Sequence, residues 1–204
     1  MQKKLLIIAG PQGTCNHAWA KIFSYHPDVS GWKSLLFHDW LPHSEEPMFR
    51  YWQDPAALEA DFFETRCTVT SISVPYMQEG NLYVPNIEGL LERCSKIGVA
   101  VSCAIVTREP NIVSYQQKRV RKDCSLPKAL PVLEKLLHLG SHVLSYEALL
   151  LLGVDYLRYL ERLLDWPIAY PGIGKYITDE NRKYVRPLIE LTERDKEARR
   201  VSGI

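Results

Sequence analysis

"LLIIAGPQGTCNHAWAKIF", residues 5–23, governs how the rest of the chain is read. It starts as an apolar strand and ends as a helix with Trp19, Ile22 and Phe23 on one face. Between them Gly10, Pro11, Gln12, Gly13 and Thr14 form a tight turn. A strand that empties through such a turn into a helix gathers free backbone N–H groups and the positive end of the helix dipole at one spot, which makes an anion site. The nucleotide-kinase form of this loop ends in Gly-Lys-Ser/Thr. Here Thr14 follows Gly13 directly, and the loop contains no lysine.

The 204 residues suit a single domain, 1–204. Apolar residues make up 46%, enough for a full core. The 25 basic and 24 acidic residues nearly cancel, which speaks against general nucleic-acid binding. Cys15, Cys67, Cys94, Cys103 and Cys124 form no CxxC pair and no metal-ligand spacing, a pattern suited to a reducing compartment. With no signal segment and no apolar run of membrane-spanning length, the expectation is a soluble, cytoplasmic protein.

Outward from the opening stretch, strands and helices alternate. Strands are expected at 4–9, 67–76 and 99–107, the last a near-continuous apolar run suited to the middle of a parallel sheet. Helices are expected at 15–25, 55–65, 86–98, 112–122, 128–139 and 153–166, with 141–150 passing from strand into helix and a charged helix over 179–199. Residues 26–47 read as too polar and broken for core. Leu149 to Leu152, and the aromatics Tyr156, Tyr159 and Trp166, read as core. The fold class is α/β, a three-layer fold with a mainly parallel central sheet flanked by helices.

In such a sheet, ligands bind beyond the carboxyl ends of the strands. Right-handed crossovers should bring three ends to one edge: the turn at 10–14, the stretch 73–76, and the end carrying Arg108, with Ser114 in the helix beyond it. Arg108 and Ser114 together could clamp a second phosphate, unless Arg108 only pairs with Glu109 or another nearby acid.

The residues resemble the P-loop sulfotransferases, which use 3'-phosphoadenosine 5'-phosphosulfate (PAPS). "AGPQGTCNHAW" resembles that family's 5'-phosphosulfate loop, and "YHPDV" its frequent HPDV. "IVTREPNIVSYQQKR" resembles its 3'-phosphate strand and helix, and "VLSYEALLLLGVDYLRYLERLLDWP" its late strand–helix. "PGIGKYITDENRKYV" corresponds more loosely to its closing Gly-rich loop. The sequence departs from the family at Pro11, where a basic residue is usual, at Gln12, where a small one is usual, and at Ser73, where cytosolic members usually carry a histidine base.

The resemblance implies sulfuryl transfer from PAPS to a hydroxyl or amine of a small molecule or glycan, leaving 3',5'-bisphosphoadenosine (PAP). It implies a cofactor site of Gly10, Pro11, Gln12, Gly13, Thr14, Cys15 and Asn16 for the 5'-phosphate, with Arg108 and Ser114 for the 3'-phosphate. Lys33, Lys175 and Arg182 are candidates for the missing loop cation. "VAVSCAIVT" carries no acidic residue of the kind that holds Mg²⁺ in nucleotide kinases. The acceptor's proton needs a base within hydrogen-bond reach, and His17, His38 and His43 are the catalytic candidates, with Glu45 and Glu46 beside them. Segment 31–66 would form most of the acceptor wall. The alternatives are a degenerate member that binds nucleotide or a partner without turnover, and a small-molecule or nucleotide kinase.

Overall fold

The computed structural model describes residues 2–38, 41–184, 190, 192–194, 196–197 and 200. Its centre is a five-stranded, all-parallel sheet in the order β2-β3-β1-β6-β7. The strands are β1 (Lys4–Gly10), β2 (Val29–Ser30), β3 (Cys67–Ser73), β6 (Ala100–Thr107) and β7 (His142–Ser145). A hairpin of β4 (Tyr76–Gln78) and β5 (Asn81–Tyr83) stands apart from the sheet.

β1 is the central strand and is buried on both faces, so it reads as an unbroken apolar run. Leu6 and Ile8 face one layer, where Trp19, Ile22 and Phe23 of α1 (Asn16–Ser24) pack with Leu149 of α5 (Tyr146–Leu152) and with Leu157, Leu160 and Leu164 of α6 (Val154–Leu164). Leu5, Ile7 and Ala9 face the other layer, formed by Leu90 and Cys94 of α2 (Ile87–Lys96) and by Ala129, Leu133 and Leu136 of α4 (Leu126–His138). α3 (Pro110–Arg121) follows β6 directly, with Glu109 capping it by accepting from the Ile112 N–H at 2.7 Å. The expected α/β architecture with a parallel sheet and helices on both faces is therefore present.

Several sequence expectations give way. Residues 55–65 form two 3₁₀ turns, Pro55–Ala57 and Ala60–Phe62, rather than a helix. Leu58 turns into the core in an extended conformation, and its carbonyl accepts from Arg93 Nε at 2.7 Å instead of from a helical N–H. The strand expected to run to 76 stops at Ser73, and the chain then enters the hairpin, which turns at Glu79 and Gly80 with φ of +50° and +81°. Residues 26–47 are not excluded from the core: Val29, Trp32, Leu41 and Glu46 are all buried. β2 covers β3 only at Cys67 and Thr68, and beyond it Pro47 closes the strand edge by accepting from the Thr70 hydroxyl at 2.7 Å. Leu149 is core, but Leu151, Leu152 and Tyr159 face solvent. Of the charged helix expected at 179–199, residues 182–184, 190, 192–194 and 196–197 are helical, while 185–189, 191, 195, 198 and 199 lie outside the described residues.

Candidate functional site

The parallel register sets Gly10 opposite Ser73, and Thr107 opposite Ser145, so the carboxyl ends of the four long strands share one edge. The loop between β1 and α1 lies on that edge. It is tied internally. The Thr14 N–H donates to the Pro11 carbonyl at 3.3 Å, and the Asn16 side-chain amide donates to the Gly10 carbonyl at 3.0 Å. The Thr14 hydroxyl has both the Pro11 carbonyl (2.7 Å) and Asn16 Oδ1 (2.8 Å) within reach, and one proton to give. Cys15 enters the helix in the left-handed conformation, φ +67°, and its side chain caps no N–H. The first N–H groups of α1 are thus left without a side-chain cap, the arrangement that favours an anion.

Gly13 is required by its surroundings. Its φ is +95°, and a Cβ there would sit 3.2 Å from Gln116 Oε1. Gln12 is buried, yet neither atom of its side-chain amide has a hydrogen-bond partner among the described residues. A buried, unpaired amide costs about 1–3 kcal/mol unless something satisfies it. The backbone carbonyl of Gln12 accepts from Gln117 Nε2 at 2.5 Å, and Gln117 Oε1 in turn accepts from the Ser125 N–H at 2.8 Å.

Arg108, at the end of β6, is the hub of the site. Nη1 donates to the Gly13 carbonyl at 2.7 Å and to Gln116 Oε1 at 3.0 Å. Nε donates to Asn181 Oδ1 at 2.7 Å, and Nη2 to the Glu180 carbonyl at 3.0 Å. The guanidinium carbon lies 5.3 Å from the Tyr146 ring centre and 5.4 Å from that of Tyr184. Four of its five N–H groups are engaged by the chain itself. Residues 178–184 therefore run as a strap against the loop. The Tyr146 hydroxyl holds the strap by donating to the Thr178 carbonyl and by accepting from the Glu180 N–H at 3.1 Å.

Burial pushes the Cys15 thiol up to about 11, although the Arg108 charge opposes the shift and Lys183 adds to that opposition. The thiol is therefore neutral near pH 7, and the two cations make themselves felt at the loop. Lys183 pairs with Glu180, and this pairing lowers the Glu180 carboxyl.

The second constellation joins α1 to the segment that closes β3. His17 Nε2 lies 2.6 Å from Glu46 Oε1. The imidazole is packed against the Trp32 indole, with ring centres 4.7 Å apart. The His17 side chain is 26% exposed and that of Glu46 0%. Burial raises the Glu46 carboxyl above its ordinary value, and the His17 partner pulls it back. The nearby Trp32 indole N–H also favours the charged form, but it does not reach hydrogen-bonding geometry, and Oε2 has no hydrogen-bond partner among the described residues.

The fold thus brings Gly10, Pro11, Gln12, Gly13, Thr14, Cys15 and Asn16 together with Arg108, and His17 together with Glu46. Ser114 stands half-buried on α3 and makes no hydrogen bond among the described residues. His38 is exposed. His43 belongs to the other layer, where its Nδ1 lies 2.9 Å from the Met77 carbonyl and its ring packs on Trp52 and Tyr76. Glu45 is exposed. Of the candidate cations, Lys33 donates to the Pro27 carbonyl at 2.6 Å, Lys175 lies over the rings of Tyr25, Phe37 and Tyr176, and Arg182 is exposed.

Gln116, Gln117, Tyr146, Asn181, Lys183 and Tyr184 were not legible as site residues. Only the Gln116-Gln117 pair carried a signal, two amides on the helix that leaves Arg108. A cleft of about 660 Å³ opens at the opposite end of the sheet, where β1 and β3 begin. Its walls mix Lys4, His26 and Arg66 with Asp28, Glu161 and Asp165, so neither sign of charge dominates there.

Fold and site define an α/β protein with an uncapped helix N-terminus and a buried arginine meeting at the carboxyl edge of a parallel sheet. No protein-family model matches the chain, and no curated protein or solved structure does so either.

Proposed function

We propose that this chain binds a 3'-phosphorylated adenosine nucleotide at the β1–α1 loop and transfers a sulfuryl group from PAPS to a hydroxyl or amine of a small molecule or glycan. The observation that carries the proposal is the 2.7 Å bond from Arg108 to the Gly13 carbonyl, which sets a buried cation directly beside an uncapped helix N-terminus. The loop suits a 5'-phosphate: backbone N–H groups of residues 12–16 supply donors, and the unpaired Gln12 amide supplies a neutral donor beside Pro11, where a lysine would be usual in the resembling family. Arg108 suits the 3'-phosphate through its one unengaged N–H and through those it now gives to Asn181 and Glu180. Ser114 lies one turn before Gln117, the α3 residue that reaches the loop, and is the proposed second group for the 3'-phosphate.

PAPS brings the activated sulfuryl group; the chain has to hold it in line and neutralise charge on the leaving phosphate. Gln12 and the α1 amides do so on one side, and Arg108 and Lys183 contribute positive potential. A second reading, nucleotide binding without turnover, is favoured by the same arginine, because the strap already holds four of its donors.

Ligand-dependent melting separates these readings from a kinase. A ligand at about 100 times its dissociation constant stabilises by about 2.7 kcal/mol. A chain of this size melts about 2–4 °C higher per kcal/mol. Saturating PAP is therefore expected to raise the Tm by about 5–10 °C, and ATP with Mg²⁺ by much less. Equal shifts would point to a kinase, and no shift with either would remove the nucleotide proposal.

A further inference from the structure

The His17–Glu46 pair lies beside the loop, yet neither side chain is among those that bond to it. His17 is the second residue of α1, immediately after Asn16. Its ring is fixed on three counts: by the helix, by the Trp32 indole, and by the carboxylate of Glu46. Glu46 has no other recognisable work. Its side chain is fully buried, and Oε2 has no hydrogen bond among the described residues. An apolar residue would serve packing better there, because an unpaired buried carboxylate oxygen is costly.

An Nε2–H that donates to Oε1 selects one tautomer of the neutral ring and leaves the Nδ1 lone pair bare. Nδ1 has no partner among the described residues, and the His17 side chain is 26% exposed rather than sealed in the core. The other two candidate histidines lack this arrangement among the described residues: His43 is bonded to the hairpin, and His38 is exposed.

We infer that His17 Nδ1 is the base that takes the acceptor's proton, with Glu46 as the residue that positions His17; the inference rests on the sulfuryl-transfer proposal above. In that step the acceptor's O–H proton passes to Nδ1 as its oxygen bonds to sulfur. The bond between sulfur and the 5'-phosphate oxygen breaks, and its electron pair leaves with PAP. The imidazolium is stabilised by Glu46 and then returns its proton to water. The base favours a neutral hydroxyl acceptor, which gives up one proton and needs no prior loss of an ammonium charge.

Two measurements test this. Long-range ¹H–¹⁵N correlation spectra of the wild-type protein near neutral pH should show the His17 ring as the Nε2–H tautomer, and Glu46→Gln should abolish that preference. An Nδ1–H tautomer in the wild type would overturn the inference. The second measurement is release of PAP from PAPS with water as acceptor. His17→Gln should lower it by about 10²–10⁴-fold, while PAP still raises the variant's Tm as it does the wild type's. Glu46→Gln should lower the rate less, and in step with its loss of the tautomer. Unchanged PAP release by His17→Gln, with PAP binding intact, would overturn the base and leave the nucleotide proposal standing. Absence of a PAP-induced shift in the wild type would instead remove the nucleotide proposal, and the base with it.

Discussion

Gly31→Ala is expected to lose about 3–5 kcal/mol of stability, from backbone strain and forced overpacking together. Gly31 sits at φ +97° and ψ −94°, a region that residues with a Cβ avoid. A Cβ there would lie 2.0 Å from the Val69 carbonyl oxygen, in the middle of β3. That oxygen belongs to a paired strand and cannot yield without disturbing the sheet. For a domain with total stability of about 5–15 kcal/mol, the loss is a large share. It corresponds to a Tm lower by roughly 6–20 °C. Gly31 also starts the turn Trp32–Leu35, so the change would displace the indole that packs on His17. Gly80→Ala is the control. Its φ is +81°, but no atom lies within 4 Å of the added Cβ, so it should cost about 1 kcal/mol from backbone strain alone. Urea unfolding of both variants decides the matter. Equal losses would mean that conformation, and not the close approach to β3, creates the need for glycine at 31.

Arg108→Ala should be nearly as damaging, by about 2–4 kcal/mol, since each hydrogen bond from a charged donor contributes about 1.5–3 kcal/mol and water can replace part of what is lost. Four acceptors on three separate segments would lose their donor at once: Gly13, Gln116, Glu180 and Asn181. Arg108→Lys should recover only part of the loss, because an ammonium has three donors and no planar fork to span these acceptors. Unfolding in urea measures both variants. A loss below about 0.5 kcal/mol for Arg108→Ala, the range of ordinary surface substitutions, would mean that the arginine does not hold the strap to the loop.

How far the sequence reaches depends on how local the cause is. β1 and β6 were legible because strands buried on both faces become apolar runs, and the turn at 10–14 because glycine spacing is a short-range signal. The burial of Trp32 and Glu46 was not, since it depends on β2 being too short to cover β3. A polar, proline-broken stretch fills the gap, and polarity alone had marked it as surface. The helix expected at 55–65 failed for a related reason: the Leu58 carbonyl is claimed by Arg93, 35 residues away. In the site, Arg108 was legible as a strand-end cation, but its partner Asn181 lies 73 residues further on. The alternative of a local pair with Glu109 is answered by that residue's use as the α3 cap. His17 and Glu46, 29 residues apart, could be named singly but not joined.

The most direct test of the central claim is to map PAP onto the backbone. In a titration followed by ¹H–¹⁵N correlation spectra, the amides of Gln12, Gly13, Thr14, Cys15 and Asn16 should shift most. The Arg108 Nε–H and the Asn181 side-chain amide should move with them as phosphate competes for the arginine. The same titration with 5'-AMP should move the loop amides while leaving Asn181 in place. Shifts centred instead on Lys4, His26 and Arg66 at the opposite end of the sheet, or a loop unmoved at saturating PAP, would contradict the account.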